Sequence, residues 1–134
     1  DNCEIGHHNV LRGPVDLEAN CKTGSFMEIK HSIAQEGTTF HSGYVGDSVI
    51  GKNCRFGAGF VSGNLRFDEK PVHGLRKLGV VVGDSSAFGI HSGTMPGVLI
   101  GSNCKIGPAT HVFENVEDNT LLYAKFEKVI KKAY

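Results

Sequence analysis

A six-residue period in the apolar side chains constrains the fold of this chain more than any other feature. The longest run with this step comprises Val82, Phe88, Thr94, Ile100, Ile106 and Val112. Shorter runs begin at Ile5 and Ile50. A helix would place apolar residues at steps of three and four, and a half-buried strand would alternate them, whereas a hexapeptide period is typical of a parallel β-helix. The sequence therefore predicts an all-β solenoid whose triangular coils each use three hexapeptides.

The cysteines mark the same repeat, because each one follows an asparagine and precedes a glycine by three positions. The four cysteines are Cys3, Cys21, Cys54 and Cys104. Their spacing lacks the paired Cys-X-X-Cys arrangement of structural zinc sites, so we predict no metal site. Each falls two residues before an inward apolar position, which favours small, buried side chains. Cys3 and Cys21 are one coil apart, and we expect free thiols there in a reducing compartment.

The periodic runs supply fourteen hexapeptides, which predicts about five coils stacked at roughly the 4.8 Å strand spacing. We assign residues 1–120 to the β-helix, with an inserted loop at about 64–79, and residues 121–134 to a C-terminal cap that is either a strand or a short amphipathic helix. A hydrophobic content of 40% in 134 residues fits one domain. Because the chain begins in mid-pattern, we expect it to be a fragment of a longer protein.

Charge and hydropathy narrow the classes of function. Lys plus Arg equals Asp plus Glu at fourteen each, so no net positive field attracts nucleic acid or an anionic membrane. No apolar stretch is long enough to span a bilayer. No signal peptide is recognised, and we expect a cytoplasmic protein with no nucleic-acid or membrane partner.

The period fails at about residues 32–46 and again at about 64–79, and loops that leave a rigid scaffold often carry binding groups. The first segment contains His41, a candidate general base because imidazole titrates near neutral pH. Tyr44 beside it is suited to orient a polar substrate. The second segment has cations that suit a phosphate, namely Arg66, Lys70, His73, Arg76 and Lys77.

Four stretches carry a resemblance to a known family: residues 25–30 (SFMEIK), 41–47 (HSGYVGD), 56–59 (FGAG) and 64–68 (NLRFD). Over nearly its whole length the chain resembles the C-terminal left-handed β-helix domain of sugar-1-phosphate nucleotidylyltransferases that are also amino-sugar-1-phosphate acetyltransferases. The resemblance implies a left-handed coil, a homotrimer and acetyl-CoA as co-substrate. It also implies that an N-terminal nucleotidylyltransferase domain precedes this segment in a longer protein.

The resemblance assigns roles to several residues. In this family a histidine matching His41 deprotonates the sugar amine, which attacks the thioester of acetyl-CoA, and a tyrosine matching Tyr44 binds the substrate. Asn64 and Lys70 match substrate-binding positions. Lys30 matches a lysine near the sugar phosphate, where a cation favours a bound anion.

The chain departs from the family pattern at several positions. A phosphate-binding arginine aligns with Val10, which leaves Arg12 as the nearest cation, and a second loop lysine aligns with His73. A serine near the thioester aligns with Ile90. Backbone groups near Ile90 and Pro108 are the expected contacts for coenzyme A.

Two hypotheses about function follow from these residues. The first is an acetyl-CoA-dependent N-acetyltransferase acting on an amino-sugar-1-phosphate such as glucosamine-1-phosphate. The alternative is a non-catalytic β-helix that trimerises or regulates a nucleotidylyltransferase, which is favoured by Arg55 where the family has an asparagine and by Phe60 where it has a threonine. A γ-type carbonic anhydrase requires a close histidine pair that the sequence lacks. Nucleotidylyl transfer is not expected from this chain, since it lacks the Gly-rich nucleotide-binding signature.

Overall fold

A computed structural model describes residues 1–134 and contains strands without any helix. The strands are β1 Glu4–Ile5, β2 Val10–Leu17, β3 Lys22–Thr23, β4 Met27–Ala34, β5 Thr39–Phe40, β6 Gly43–Gly46, β7 Val49–Ile50, β8 Arg55–Phe56, β9 Phe60–Ser62, β10 Val81–Val82, β11 Ala87–Phe88, β12 Gly93–Thr94, β13 Leu99–Ile100, β14 Lys105–Ile106, β15 His111–Val112 and β16 Leu121–Leu122. Nothing in the chain forms a helix long and apolar enough to cross a membrane.

The strands stack in parallel on three faces of a prism. The first face is a seven-stranded sheet in the order β1-β3-β5-β8-β11-β14-β16. The second and third faces share β2 and β4, and β4 turns a corner so that its first half pairs with β6 and its second half with β7. This is a left-handed parallel β-helix, as predicted. Between the first and last strands of the seven-stranded face the chain makes six turns, one more than the periodic runs indicate.

The prism is filled by inward side chains, one from each two-residue strand and more than one from β4, which spans two faces. From the second coil onwards, these inward residues are at most 6% exposed: Thr23, Ile29, Ala34, Phe40, Val45, Ile50, Phe56, Ser62, Val82, Phe88, Thr94, Ile100, Ile106 and Val112. The rings of Phe40, Phe56 and Phe88 stack in successive coils with centroids 4.9 and 4.6 Å apart. Phe60 packs against Phe56 from the second face at 4.7 Å. Burying a Phe side chain stabilises the fold by about 1.5–3 kcal/mol, so this aromatic stack is a major part of the core.

The chain does not leave the scaffold at residues 32–46, where the sequence predicts the first break. The consecutive inward side chains across this segment are Ile29, Ala34, Phe40, Val45 and Ile50. Three of the four steps are five residues long instead of six, so the corners are shortened and the coil continues. The six-residue runs therefore lose their phase here. This shortening also explains why the count of hexapeptides gives fewer coils than the structure has.

The second predicted break is an excursion between β9 and β10. Residues 63–80 contain no strand, and their only bridge is the antiparallel pair Val72 and Leu75. The base of this loop is closed by two backbone hydrogen bonds, from Leu78 N to Asn64 O at 2.9 Å and from Gly79 N to Asp47 O at 2.7 Å. The loop is thus tied to the preceding coil at Asp47.

The cysteines occupy inward positions, as their place in the repeat predicts. Cys21, Cys54 and Cys104 are buried, and Cys3 in the first coil is partly exposed. All four thiols are free. Those of Cys21, Cys54 and Cys104 donate to carbonyl oxygens of the next coil at 3.2, 3.2 and 3.0 Å. Burial raises the pKa of Cys21 and Cys54, which keeps these two thiols protonated.

The C-terminal segment forms less regular structure than the predicted cap. Leu121–Leu122 (β16) pairs with β14 and continues the first face. Residues 123–134 form neither helix nor strand. Their apolar side chains Phe126, Val129 and Ile130 are 67%, 73% and 92% exposed. Only β16 therefore covers the last coil in the single chain.

Candidate functional site

Four polar side chains meet outside the prism where the inserted loop begins. Lys30 lies on β4 and Tyr44 on β6, and both point outward because Ile29 and Val45 beside them point inward. Asp47 follows β6 at the next corner, and Asn64 is the second residue of the loop. We call Lys30, Tyr44, Asp47 and Asn64 the Asp47 cluster.

The Asp47 carboxylate is the centre of this cluster. Its Oδ2 atom accepts a hydrogen bond from Asn64 Nδ2 at 2.6 Å and lies 3.2 Å from Lys30 Nζ. Asn64 Nδ2 also donates to the Tyr44 hydroxyl at 2.9 Å. The Lys30 and Asp47 side chains are 13% and 15% exposed. The four side chains therefore form one connected network, and its charged pair, Lys30 and Asp47, is largely desolvated.

Electrostatics keep Asp47 ionised. Burial acts to raise the pKa of this carboxyl, but hydrogen bonds from Asn64 and Lys30, with the charge of Lys30 and of nearby His31, outweigh it and lower the pKa. His31 Nδ1 is 3.6 Å from Asp47 Oδ1 on the solvent side. At neutral pH the carboxylate is therefore a pure hydrogen-bond acceptor.

The candidate base His41 lies in a different place, at the corner directly after β5. Its backbone N–H donates to Phe56 O at 3.0 Å, so the stacked coils fix its position, and its side chain is exposed. His41 lines an open groove of about 550 Å³ on the first face, together with Arg55 and Ile90. The groove is the concave surface nearest the candidate base.

The two predicted coenzyme A contacts lie on neighbouring coils: Ile90 lines this groove, and Pro108 belongs to the next coil. Ala109 N donates to Ile90 O at 2.8 Å, which links the turn at Pro108 to the turn at Ile90. A Cβ on Gly89 would lie 2.5 Å from Pro108 N, so only glycine permits this close approach. The Ile90 amide donates to no other residue of the chain.

The cations predicted to bind phosphate on the second face are already paired with carboxylates. Arg12 forms an ion pair with Glu28, and Lys30 pairs with Asp47. Arg12 is the direct register partner of Lys30 on the neighbouring strand, so the two positive groups lie side by side. A bound anion at this face would share both cations with their carboxylates.

The loop cations are more dispersed. Arg66 pairs with Asp68 and lowers the pKa of that carboxyl to about 2. His73 Nε2 is 3.3 Å from Gly97 O. Lys70 is exposed and has no ion pair. Arg76 and Lys77 are likewise exposed and form no ion pair. These three loop cations therefore remain free to bind a phosphate.

The structure therefore sorts the predicted site residues into two groups. Tyr44, Asn64 and Lys30 lie together with Arg12 alongside. His41 and Ile90 line the groove on the first face, and Pro108 lies one coil beyond Ile90. Sequence reasoning assigned no role to Asp47 or Glu28. Lys30 and Asp47 are seventeen residues apart, close to one coil, and this spacing is the signal that would have paired them.

Known proteins share both the sequence and the fold. The protein GlmU of Methanocaldococcus jannaschii, described as bifunctional, is 42% identical over 126 residues, which cover 87% of this chain and 31% of that protein. A bifunctional sugar-1-phosphate nucleotidylyltransferase/acetyltransferase of Sulfurisphaera tokodaii is 39% identical over 135 residues, covering 92% of this chain and 32% of that protein. The chain thus spans about a third of these curated relatives, matching their C-terminal part. No protein-family model matches it.

Solved structures show the same fold at lower identity. The acetyltransferase domain of PglB from Neisseria gonorrhoeae has a TM-score of 0.77 at 13% identity over 91% of this chain and 54% of that one. PerB from Caulobacter crescentus, solved with CoA and GDP-perosamine, has a TM-score of 0.74 at 19% identity over 90% and 55%. The fold and repeats place this chain among the hexapeptide-repeat β-helix proteins. Within that class it is a homologue of the C-terminal part of bifunctional sugar-1-phosphate nucleotidylyltransferase/acetyltransferases.

Proposed function

We propose that the chain is an acetyl-CoA-dependent N-acetyltransferase that acts on an amino-sugar-1-phosphate such as glucosamine-1-phosphate. The observation that carries the proposal is the exposed imidazole of His41 at a groove that also contains the free backbone amide of Ile90. The relatives that include acetyltransferases in their names support it. We also propose that the protein is cytoplasmic and that this segment functions beside a nucleotidylyltransferase domain, as its relatives' length supports.

The chemistry requires one base and one oxyanion contact. Neutral His41 accepts a proton from the sugar amine as the amine nitrogen bonds to the thioester carbonyl carbon of acetyl-CoA. Backbone N–H groups stabilise the negative charge that develops on the carbonyl oxygen. Collapse of this intermediate breaks the carbon–sulfur bond, and the coenzyme A thiolate takes up the proton from the imidazolium. The products are the N-acetylated sugar phosphate and free coenzyme A.

In this proposal the Asp47 cluster binds the sugar phosphate, with Lys70 and Arg12 adding positive charge. The cluster and the His41 groove lie on different faces of one chain. A homotrimer, which we propose as the active assembly, would allow the groove of one subunit to meet the cluster of another. Phosphate beside Lys30 and Lys70 is favoured by charge-assisted hydrogen bonding.

The second candidate is a non-catalytic module that trimerises or regulates a nucleotidylyltransferase. The observation in its favour is Arg55, which lines the groove beside His41 where the related family has a substrate-reading asparagine. An arginine there occupies more of the groove and adds a charge that an asparagine lacks.

The deciding experiment measures release of coenzyme A from acetyl-CoA with glucosamine-1-phosphate or galactosamine-1-phosphate. His41→Ala should lower the rate about 10²–10⁴-fold, the usual contribution of general base catalysis. His7→Ala, which alters another exposed histidine outside the groove, should have no effect. Glucose-1-phosphate, which has no amine, should give no turnover. If the trimeric native chain releases no coenzyme A with either amino sugar, the non-catalytic function is favoured instead.

A further inference from the structure

Asp47 contacts more parts of the site than any other residue, and it uses both its side chain and its backbone. Its carboxylate accepts from Asn64 Nδ2 at 2.6 Å and faces Lys30 Nζ at 3.2 Å. Its backbone N–H donates to Lys30 O at 2.8 Å, and its backbone oxygen accepts from Gly79 N at 2.7 Å. One residue therefore links the preceding coil to both ends of the inserted loop.

The contact between Asp47 and the inserted loop leaves little space around Gly79, at the C-terminal end of the loop. A Cβ on Gly79 would lie 2.0 Å from Gly46 O and 3.1 Å from Asp47 O, so the backbones touch directly. Leu78 N donates to Asn64 O at 2.9 Å and joins the two ends of the loop. The position of Lys70 relative to Lys30 consequently depends on how Asp47 holds the loop base.

The carboxylate also fixes the direction of a hydrogen-bond chain. An ionised carboxylate only accepts, so the Asn64 amide must turn its NH₂ group towards Asp47. The two N–H donors of that group are then used by Asp47 and by the Tyr44 hydroxyl oxygen. Since Tyr44 accepts from Asn64, its own O–H proton is free to be donated outward. The chain of bonds runs from Tyr44 through Asn64 to Asp47.

The backbone conformation at position 47 also favours aspartate. Asp47 has φ of +51°, in the left-handed region that Asn, Asp and Gly tolerate better than other residues. Of these three, only aspartate supplies a negative charge to the desolvated Lys30 ammonium. Glu28, the neighbouring carboxylate on the second face, is engaged by Arg12.

We propose that Asp47 is a positioning residue which makes Tyr44 a hydrogen-bond donor, and Lys30 a fixed cation, towards the phosphate of the amino sugar. This inference rests on the proposed function and deepens it. Asp47 does not touch the substrate, because its oxygens face Asn64 and Lys30. It acts through those two side chains and through the loop.

The test compares binding of glucosamine-1-phosphate, measured by calorimetry, with steady-state kinetics in the full chain. Asp47→Asn keeps the size and backbone preference of the residue but can itself donate, so the Asn64 amide is free to flip. We expect Kd and KM for the sugar phosphate to rise about tenfold, the scale of one charge-assisted hydrogen bond, while kcat and KM for acetyl-CoA change less than about threefold.

A double-mutant cycle separates positioning from general loosening of the fold. Tyr44→Phe removes the donated proton and should weaken binding by a similar factor. Because both variants disable the same hydrogen-bond chain, Asp47→Asn combined with Tyr44→Phe should bind within about twofold of either single variant. Additive losses would overturn the proposal, as would an unchanged Kd in Asp47→Asn.

The matched control is Asp84→Asn, at a different corner of the prism, two residues after β10. Asp84 also follows a Val-Gly pair and is exposed, and its carboxylate accepts one hydrogen bond, from Lys52 N at 2.8 Å. Asp84→Asn should leave Kd, KM and kcat unchanged.

If the native chain acetylates the sugar but Asp47→Asn binds the sugar phosphate normally, only the role of Asp47 is wrong. If the native chain binds the sugar phosphate without acetylating it, the proposed acetyltransferase function is wrong, but the comparison of Kd values still tests the role of Asp47. If the native chain does not bind the sugar phosphate, both proposals are wrong.

Discussion

At the scale of single residues, two departures from the related family have opposite surroundings. Phe60, at a position where the resemblance predicts a threonine, is fully buried against Phe56 and Phe88, with centroids 4.7 and 5.1 Å away. Arg55, at a position where the resemblance predicts an asparagine, is exposed and lines the groove beside His41. The first change alters core packing, whereas the second alters the surface that a ligand would meet. The effect of a substitution relative to the family therefore depends on whether the side chain points into the prism or towards solvent.

The Asp47 carboxylate should also make stability depend on acid pH. Its pKa is lowered in the folded chain, so its contribution to the free energy of unfolding is present above the unfolded value of about 3.9 and is lost as pH falls through the folded value. Asp47→Asn should thus be less stable than the native chain at pH 7, and the difference should shrink below about pH 4. Urea unfolding across this range measures it. A difference that stays constant down to pH 2 would contradict the assignment.

At the scale of elements, the first face depends on a continuous aromatic stack. Phe56 of β8 lies between Phe40 of β5 and Phe88 of β11, and its ring is nearly parallel to both, with interplanar angles of 17° and 7°. Strands of two residues contribute few backbone hydrogen bonds each. The side chains stacked inside them therefore supply much of the cohesion between coils.

Removing the middle ring of this stack should be costly. Phe56→Ala should lower the free energy of unfolding by about 3–5 kcal/mol, because it opens a cavity among rings that cannot collapse into it. Phe126→Ala, at a side chain that is 67% exposed, should change it by less than about 0.5 kcal/mol. Denaturant unfolding at one fixed protein concentration compares the two variants. A loss below about 1 kcal/mol in Phe56→Ala would show that neighbouring coils repack.

At the scale of the whole molecule, a solenoid must protect its open ends. In the last coil, β16 pairs with β14 and is followed by a tail whose apolar side chains are exposed. Without β16, the backbone groups of Lys105 and Ile106 would form an unpaired edge over an apolar interior. The tail beyond Ala124 adds no strand to that protection.

Truncation separates the roles of the strand and the tail. Deleting residues 119–134 should promote aggregation, because it uncovers the β14 edge and Ile106. Deleting only residues 125–134 keeps β16, and this shorter truncation should aggregate less. Light scattering over a range of concentrations measures both. A monodisperse chain that ends at residue 118 would contradict the prediction.

The sequence by itself determined the solenoid, the inward cysteines and the loop at about 64–79. The first two follow from the six-residue period of the sequence, and the loop follows from the interruption of that period. Only the tertiary structure decided that residues 32–46 stay in the coil, since the five-residue steps from Ile29 to Ile50 shift the phase that the runs follow. It also decided the Asp47 cluster. Lys30, Asp47 and Asn64 come from different coils, and their contacts depend on how shortened corners stack one coil on the next, which a local repeat does not specify.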